Sequence, residues 1–270
     1  MNKKIYFHAD DFGRSKIISK NIYKCIKLKI INSISVMVGF NEYYFEYIKK
    51  SRLINIKLHL NLTENYPSSS LSYNYSFFKL LFLRYGFKFS FHKEEVKKEI
   101  EKQIIYFKKK FNITSIKIDS HEHVHVIPWI NDIILDLKEK HKIIELREPI
   151  EKYYFINLKD FINTGYLSNI MKFLIIIFLS KFHRKKKGNL IKSNFTGLLY
   201  TGFQNFDSIK KGISLNKNNS KTLEVLIHPG YTNNNEVNFF KKKYFTYYSS
   251  DQRIKEYKIA SSKKIIKMIS

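Results

Sequence analysis

The sequence predicts an α/β fold in which a mainly parallel sheet, open or closed into a barrel, carries helices on its faces. Three observations lead there. Short apolar runs alternate with longer amphipathic ones along the 270 residues, and βα units of that length connect parallel strands. With 44% hydrophobic and 16% aromatic residues against 27% charged, the chain can bury a sizeable core. No internal repeat and no Pro/Gly/Ser-rich linker interrupts it, so a single domain over 1–270 is expected.

In chain order, KKIYFHADD reads as a strand, SKIISKNIYKCIKLKI as a helix, SISVMVGF as a strand and NEYYFEYIKKS as a helix. NIKLHLNLT follows as a strand, KEEVKKEIEKQIIYFKKKF as a long helix, and SIKIDSHEHVH as a strand running into a loop. PWINDIILDLKEKH is the next helix and KIIELREPIE the next strand. GYLSNIMKFLIIIFLSKFHRKKK holds an apolar run of about ten residues, short of the roughly twenty that cross a bilayer. Apolar on all sides, it is expected as a core or cap helix. TLEVLIHPG supplies a last strand, then a polar loop leads to the helix DQRIKEYKIASSKKIIKMIS.

The formal net charge is +26, which would attract phosphate backbones or anionic lipid. Lysines scattered through helical stretches explain most of it as solvated surface, so no nucleic-acid partner is expected. Only FHRKKKG, residues 182–188, is a compact basic cluster. Next to the apolar run it leaves a peripheral membrane contact open through 170–187; a homodimer also stays open. One cysteine, Cys25, lies in the apolar phase of its helix and excludes an internal disulfide framework. With no signal peptide in the opening residues, a cytoplasmic protein is expected.

Polar residues collect where strands stop. The first strand runs into Asp10 and Asp11, the third carries His59, and the fourth runs into Asp119, His121, His123 and His125. The fifth ends near Arg147 and Glu151, and the last reaches His228. Strand C-termini of a parallel α/β fold meet at one face, where such folds build active sites. Each residue alone has an ordinary explanation: Asp10 and Asp11 could cap the next helix, His59 could be a hydrogen-bonded core residue, and DSHEHVH could be a polar loop. The joint pattern is a carboxylate and two imidazoles in number and kind suited to a hydrolytic divalent metal. A second carboxylate would take a proton from the attacking water, and another histidine would protonate the leaving group.

HADDFG, INSISVMV, LHLNLT, IDSHEHVH, LREPIE, NFTGLLYTG and TLEVLIHPG, in this order and spacing, resemble the YdjC-like (ChbG-like) carbohydrate deacetylase family over about residues 3–230. The resemblance implies a distorted (β/α) barrel of the glycoside hydrolase/deacetylase type. It also implies one divalent metal ion, Mg2+ or Zn2+, and hydrolytic removal of an acetyl group from an N-acetylated amino sugar. By position it makes Asp11, His59 and His121 the metal ligands, Asp10 the base and His228 the general acid. Arg147, His123, His125 and Glu151 fall to substrate-binding or supporting roles. The chain departs from the family pattern at His8, often Asn, at Lys57, often Gly, and at Glu122, often His. A divergent, cap-like segment at about 153–195 leaves the sugar undefined.

Two rival readings accompany it. His123 and His125 form an H-x-H pair of the kind that also marks phosphoesterases and amidohydrolases on barrels. A non-catalytic basic binder of nucleic acid or membrane surface would use the charge and no metal.

Overall fold

The computed structural model describes residues 4–51, 55–64, 71, 75–183, 190–216 and 222–265. Seven strands appear among them: β1 Ile5–Phe12, β2 Ser33–Val36, β3 Asn55–Leu60, β4 Ile116–Ser120, β5 Ile143–Leu146, β6 Asn194–Thr196 and β7 Leu223–Ile227. The α-helices are α1 Lys16–Lys27, α2 Phe45–Lys49, α3 Phe77–Phe82, α4 Phe89–Phe111, α5 Pro128–Asp136, α6 Lys138–His141, α7 Thr164–His183, α8 Phe206–Leu215, α9 Lys242–Tyr248 and α10 Asp251–Ala260. Every strand pair is parallel, in the order β5-β4-β3-β2-β1-β7-β6. Ile191, just before β6, bridges Glu145 of β5, so the sheet curls into a half-barrel whose edges nearly meet.

Alternation along the strands sorts the side chains. Phe7, Ala9, Ile34, Val36, Leu58, Leu60, Ile116, Ile118, Val225 and Ile227 belong to one core cluster with helix residues such as Ile18, Ile22, Ile104 and Phe107. This outer layer is the main hydrophobic driving force, at roughly 25 cal/mol per Å² of apolar surface buried. The alternate residues are polar: His8, Asp10, Ser33, Ser35, Lys57, His59, Asp119, Glu145 and Glu224 are all buried. Lys57 of β3 pairs with Glu145 of β5 at 2.6 Å and also with Glu224 of β7. Four strands separate β5 from β7 in the sheet order, so one lysine head reaching both measures how tightly the sheet curls. The half-barrel is filled by ion pairs where many barrels carry aliphatic layers.

Several elements differ from the sequence reading. β6, with three residues, is too short to show alternation, and α3, α8 and α9 were not read from the sequence. The stretch read as a polar loop before the last helix holds a 3-10 turn over Asn234–Phe239 and then α9. Helix α7 runs for 20 residues, longer than its apolar run. Thr164–Phe182 is long and apolar enough to cross a membrane, although a third of that window is buried in the fold. Of the basic cluster at 182–188, residues 184–188 lie outside the described residues. Cys25 is a core residue whose thiol burial pushes up to about 12, which leaves it unreactive.

Candidate active site

Neighbouring residues in a strand point to opposite faces, yet Asp10 and Asp11 line the same cavity. The pairing of β1 with β2 shifts register between Ala9 and Phe12, and Asp11 adopts φ +68°. This bulge turns both carboxylates inward, a strained arrangement of the kind found at functional sites. Gly13 follows at φ +92°, packed against the carbonyl of Met37 where a side chain would not fit. Neither aspartate caps α1, because Ser15 is its N-cap and accepts from the Ile18 N–H.

Asp11, His59 and His121 offer ligand atoms within 4.8 Å of one another. Asp11 Oδ1 lies 3.5 Å from His59 Nε2 and 3.3 Å from His121 Nδ1. Donors about 2.1 Å from a tetrahedral cation stand about 3.4 Å apart, so the spacing fits. The outer nitrogen of each imidazole faces another carboxylate: His59 Nδ1 donates to Asp119 at 2.6 Å, and His121 Nε2 is 3.0 Å from Glu64. Carboxylates behind metal-bound histidines fix the ring and raise its basicity.

Charge points the same way. Asp10, Asp11, Glu64, Asp119, Glu145 and Glu224 are buried carboxylates, and the buried cations paired with them are Arg14, Lys57, Arg147 and Arg253. Six against four, with Glu256 a further buried carboxylate beside His228, leaves an excess of negative charge. Burial alone would lower both imidazoles, but Asp10 and Asp119 hold His59 up at about 9, and Asp11 and Glu64 hold His121 at about 10. The pocket therefore favours positive charge, which imidazolium rings or a divalent cation can supply.

Asp10 has a different partner. Its oxygens accept from Arg147 Nη1 at 2.9 Å and Nη2 at 2.8 Å, and His8 Nε2 is 3.1 Å from Oδ1. Burial opposes its charge, but Arg147, then His59 and His8, hold the carboxyl well below the usual range, so it is ionised at neutral pH. His8, Asp10 and Asp119 also cluster at metal-like spacing. Arg147 fills that role there, since it lies 2.6 Å from Asp119 as well and His8 hydrogen-bonds Ser33 and Ser35.

His123 and His125 part company. His123 lines the cavity; burial, then Arg147, push it down to about 3, and its Nδ1 has no hydrogen-bond partner. His125 turns away, its ring held by Ser120 Oγ at 2.5 Å and the Arg147 carbonyl at 3.1 Å. Glu151 is also off the cavity. It accepts from the N–H groups of Gly197 at 2.8 Å and Leu199 at 2.5 Å and from Thr196 Oγ1, fastening the loop after β6.

The cavity holds about 450 Å³, the size of a site for a small ligand. The β-strand ends form its floor, with Phe77, Phe78, Ile175, Ile176, Tyr244 and Tyr247 among its walls. Helix α7, in the segment expected as a cap, thus supplies one wall. His228 lies on another, its Nδ1 3.4 Å from Glu256.

The family model described as YdjC-like protein matches residues 4–270. The chain belongs to the YdjC-like family. It is 30% identical over 158 residues to a carbohydrate deacetylase of Xenopus laevis, covering 55% of this chain and 51% of that one. A carbohydrate deacetylase of Thermoanaerobacter pseudethanolicus is 27% identical, over 56% of this chain and 62% of its own. The chain thus spans about half the length of the curated relatives it matches. Among solved structures, a protein from Enterococcus faecalis V583 described in terms of cellobiose-phosphate cleavage shares the fold, with a TM-score of 0.63 at 19% identity. That likeness covers 100% of this chain and 94% of the other.

In this YdjC-like chain, the sequence reading missed Glu64, Arg253 and Glu256. Arg253 Nη2 lies 3.1 Å from Asp11 Oδ2 and stacks on Tyr247. Glu256, one turn further along α10, accepts the His228 N–H at 2.7 Å. One helix thus braces both Asp11 and His228. No spacing in the sequence could have shown this, because the link depends on how α10 packs.

Proposed function

We propose that this protein hydrolyses the acetamide of an N-acetylated amino sugar, with a divalent metal held by Asp11, His59 and His121. The observation that carries the reading is that these three donors converge on one cavity beside Asp10, an ionised carboxylate held by Arg147 and not by the donor set. Carbohydrate deacetylase is also how the curated relatives are described. A divalent cation held there would polarise the acetyl carbonyl and acidify water; two imidazole donors favour zinc over magnesium.

The residues then divide the work. Asp10 has three of its four lone-pair directions occupied by Arg147 and His8, and the remaining one, on Oδ2, accepts a proton from the attacking water. His228, with Nδ1 towards Glu256, lines the cavity and protonates the departing amine. His123, neutral and without a partner at Nδ1, is placed to hydrogen-bond the substrate. The aromatic walls suit the apolar faces of a sugar ring.

The phosphoesterase or amidohydrolase reading loses support because His123 and His125 do not converge. The test is release of acetate from N-acetylated hexosamines and their oligomers by zinc-loaded protein, with His59→Ala in parallel. Acetate from the wild type and none from the variant supports the reading. Phosphate release from sugar phosphates, or full acetate release by the variant, overturns it.

A further inference from the structure

Helix α7 has two apolar sides, and the fold uses one. Phe173, Ile176 and Leu179 pack into a second core cluster with Tyr154, Tyr166 and Leu199. On the other side Leu167, Met171, Leu174, Phe178 and Phe182 are exposed, the last four by 52–61%. At 3.6 residues per turn these five fall within an arc of about 80°, a continuous stripe along the helix. Ile175, at the edge of that arc, and Lys172, further round the helix, line the cavity. Helix α3 supplies another wall: its Phe77 and Leu81 pack against the same cluster while Phe78 lines the cavity, and Phe78 and Phe82 are exposed. Exposed apolar side chains therefore sit on two helices that wall the cavity, more than a solvated face carries by chance.

We propose that this rim docks on an anionic lipid surface, with α7 lying along the bilayer and the cavity opening onto it. The buried side of α7 holds the fold together, so the helix lies on the membrane and does not cross it. Charge selects the partner. A second copy of the chain would bring together two proteins of net charge +26, whereas anionic headgroups are attracted to both. Lys172 and Lys243 line the cavity and Lys181 is exposed on α7; in sequence the chain continues from α7 through Arg184, Lys185, Lys186 and Lys187. Apolar side chains bordered by lysines are the composition of an interfacial helix. The surface stands whether or not the acetyl chemistry does, and its assay reads binding alone.

The test is flotation of purified protein with vesicles of phosphatidylcholine, with and without phosphatidylglycerol. The wild type is expected to float with the anionic vesicles and weakly with the neutral ones. Binding should fall when salt is raised from about 0.05 M to about 0.5 M, which shortens the screening length from roughly 14 to 4 Å. The double variant Leu174→Glu/Phe178→Glu should lose about tenfold in bound fraction with its melting temperature unchanged; Met171→Ser/Phe182→Ser gives a milder second pair should the first unfold. Failure of the wild type to bind anionic vesicles overturns the proposal, as does equal binding by both folded variants. So does a stable dimer that the same substitutions dissociate, which would assign the stripe to a second copy.

Discussion

At the scale of single residues, a bulge lets two adjacent carboxylates do different work. Asp11 faces two imidazoles and Arg253; Asp10 faces Arg147. The two imidazoles, raised to about 9 and 10 by the carboxylates around them, are expected to be protonated at pH 8 without metal, and a metal must displace those protons. Titrating zinc into metal-free protein at pH 8 in weak buffer should release close to two protons per ion. Release of none would mean that the imidazoles are already neutral and the charge balance is wrong. The sequence made the five main residues legible because each sits at a strand end of a parallel fold. Without the family resemblance it left Asp10 and Asp11 interchangeable, because their difference lies in Arg147, just after β5, and Arg253 on α10.

At the scale of elements, α10 and the polar strand faces carry what the sequence concealed. If α10 braces the site as described, Arg253→Met should weaken zinc binding by about 10- to 100-fold, and Glu256→Gln should keep the metal and lower turnover by a similar factor. Equal effects of both substitutions on metal affinity would contradict that division. The alternation in KLHL and KID was visible, with polar residues at every second position, and LEVL added Glu224 between apolar neighbours. It normally marks a solvated face, so a buried ionic interior had to come from the curl of the sheet. Lys57, the only cation on Glu145 and Glu224 within 3 Å apart from Arg147 on Glu224 among the described residues, makes that interior testable. Lys57→Met should cost about 3–5 kcal/mol by leaving Glu145 with only the more distant Lys117, at 3.6 Å, and Glu224 with Arg147 alone, read from urea unfolding.

At the scale of the whole molecule, stability should depend on pH through Glu151, which fastens the loop after β6. Burial pushes its carboxyl up to about 7, against the pull of the Gly197 and Leu199 N–H groups. Unfolded glutamate titrates near about 4.3, so between that value and about 7 the folded state binds more protons. Stability from this group is full at low pH and is lost as pH rises through about 7. The stability of the wild type relative to Glu151→Gln should therefore fall by about 2–3 kcal/mol from pH 5 to pH 8. The parallel fold was legible in the βα rhythm, and so was the face on which the site lies. The rim of the cavity was not, since α3 and α9 are short and the character of α7, apolar on both sides, shows only against its surroundings. The central claim, a metal set that excludes Asp10, is tested most directly by metal content per chain together with acetate release in wild type, His59→Ala and Asp10→Asn. The account predicts one ion in the wild type and in Asp10→Asn, turnover about 10²- to 10⁴-fold lower in Asp10→Asn, and neither ion nor acetate in His59→Ala. An Asp10→Asn protein that loses the ion, or a His59→Ala protein that keeps both ion and activity, would contradict it.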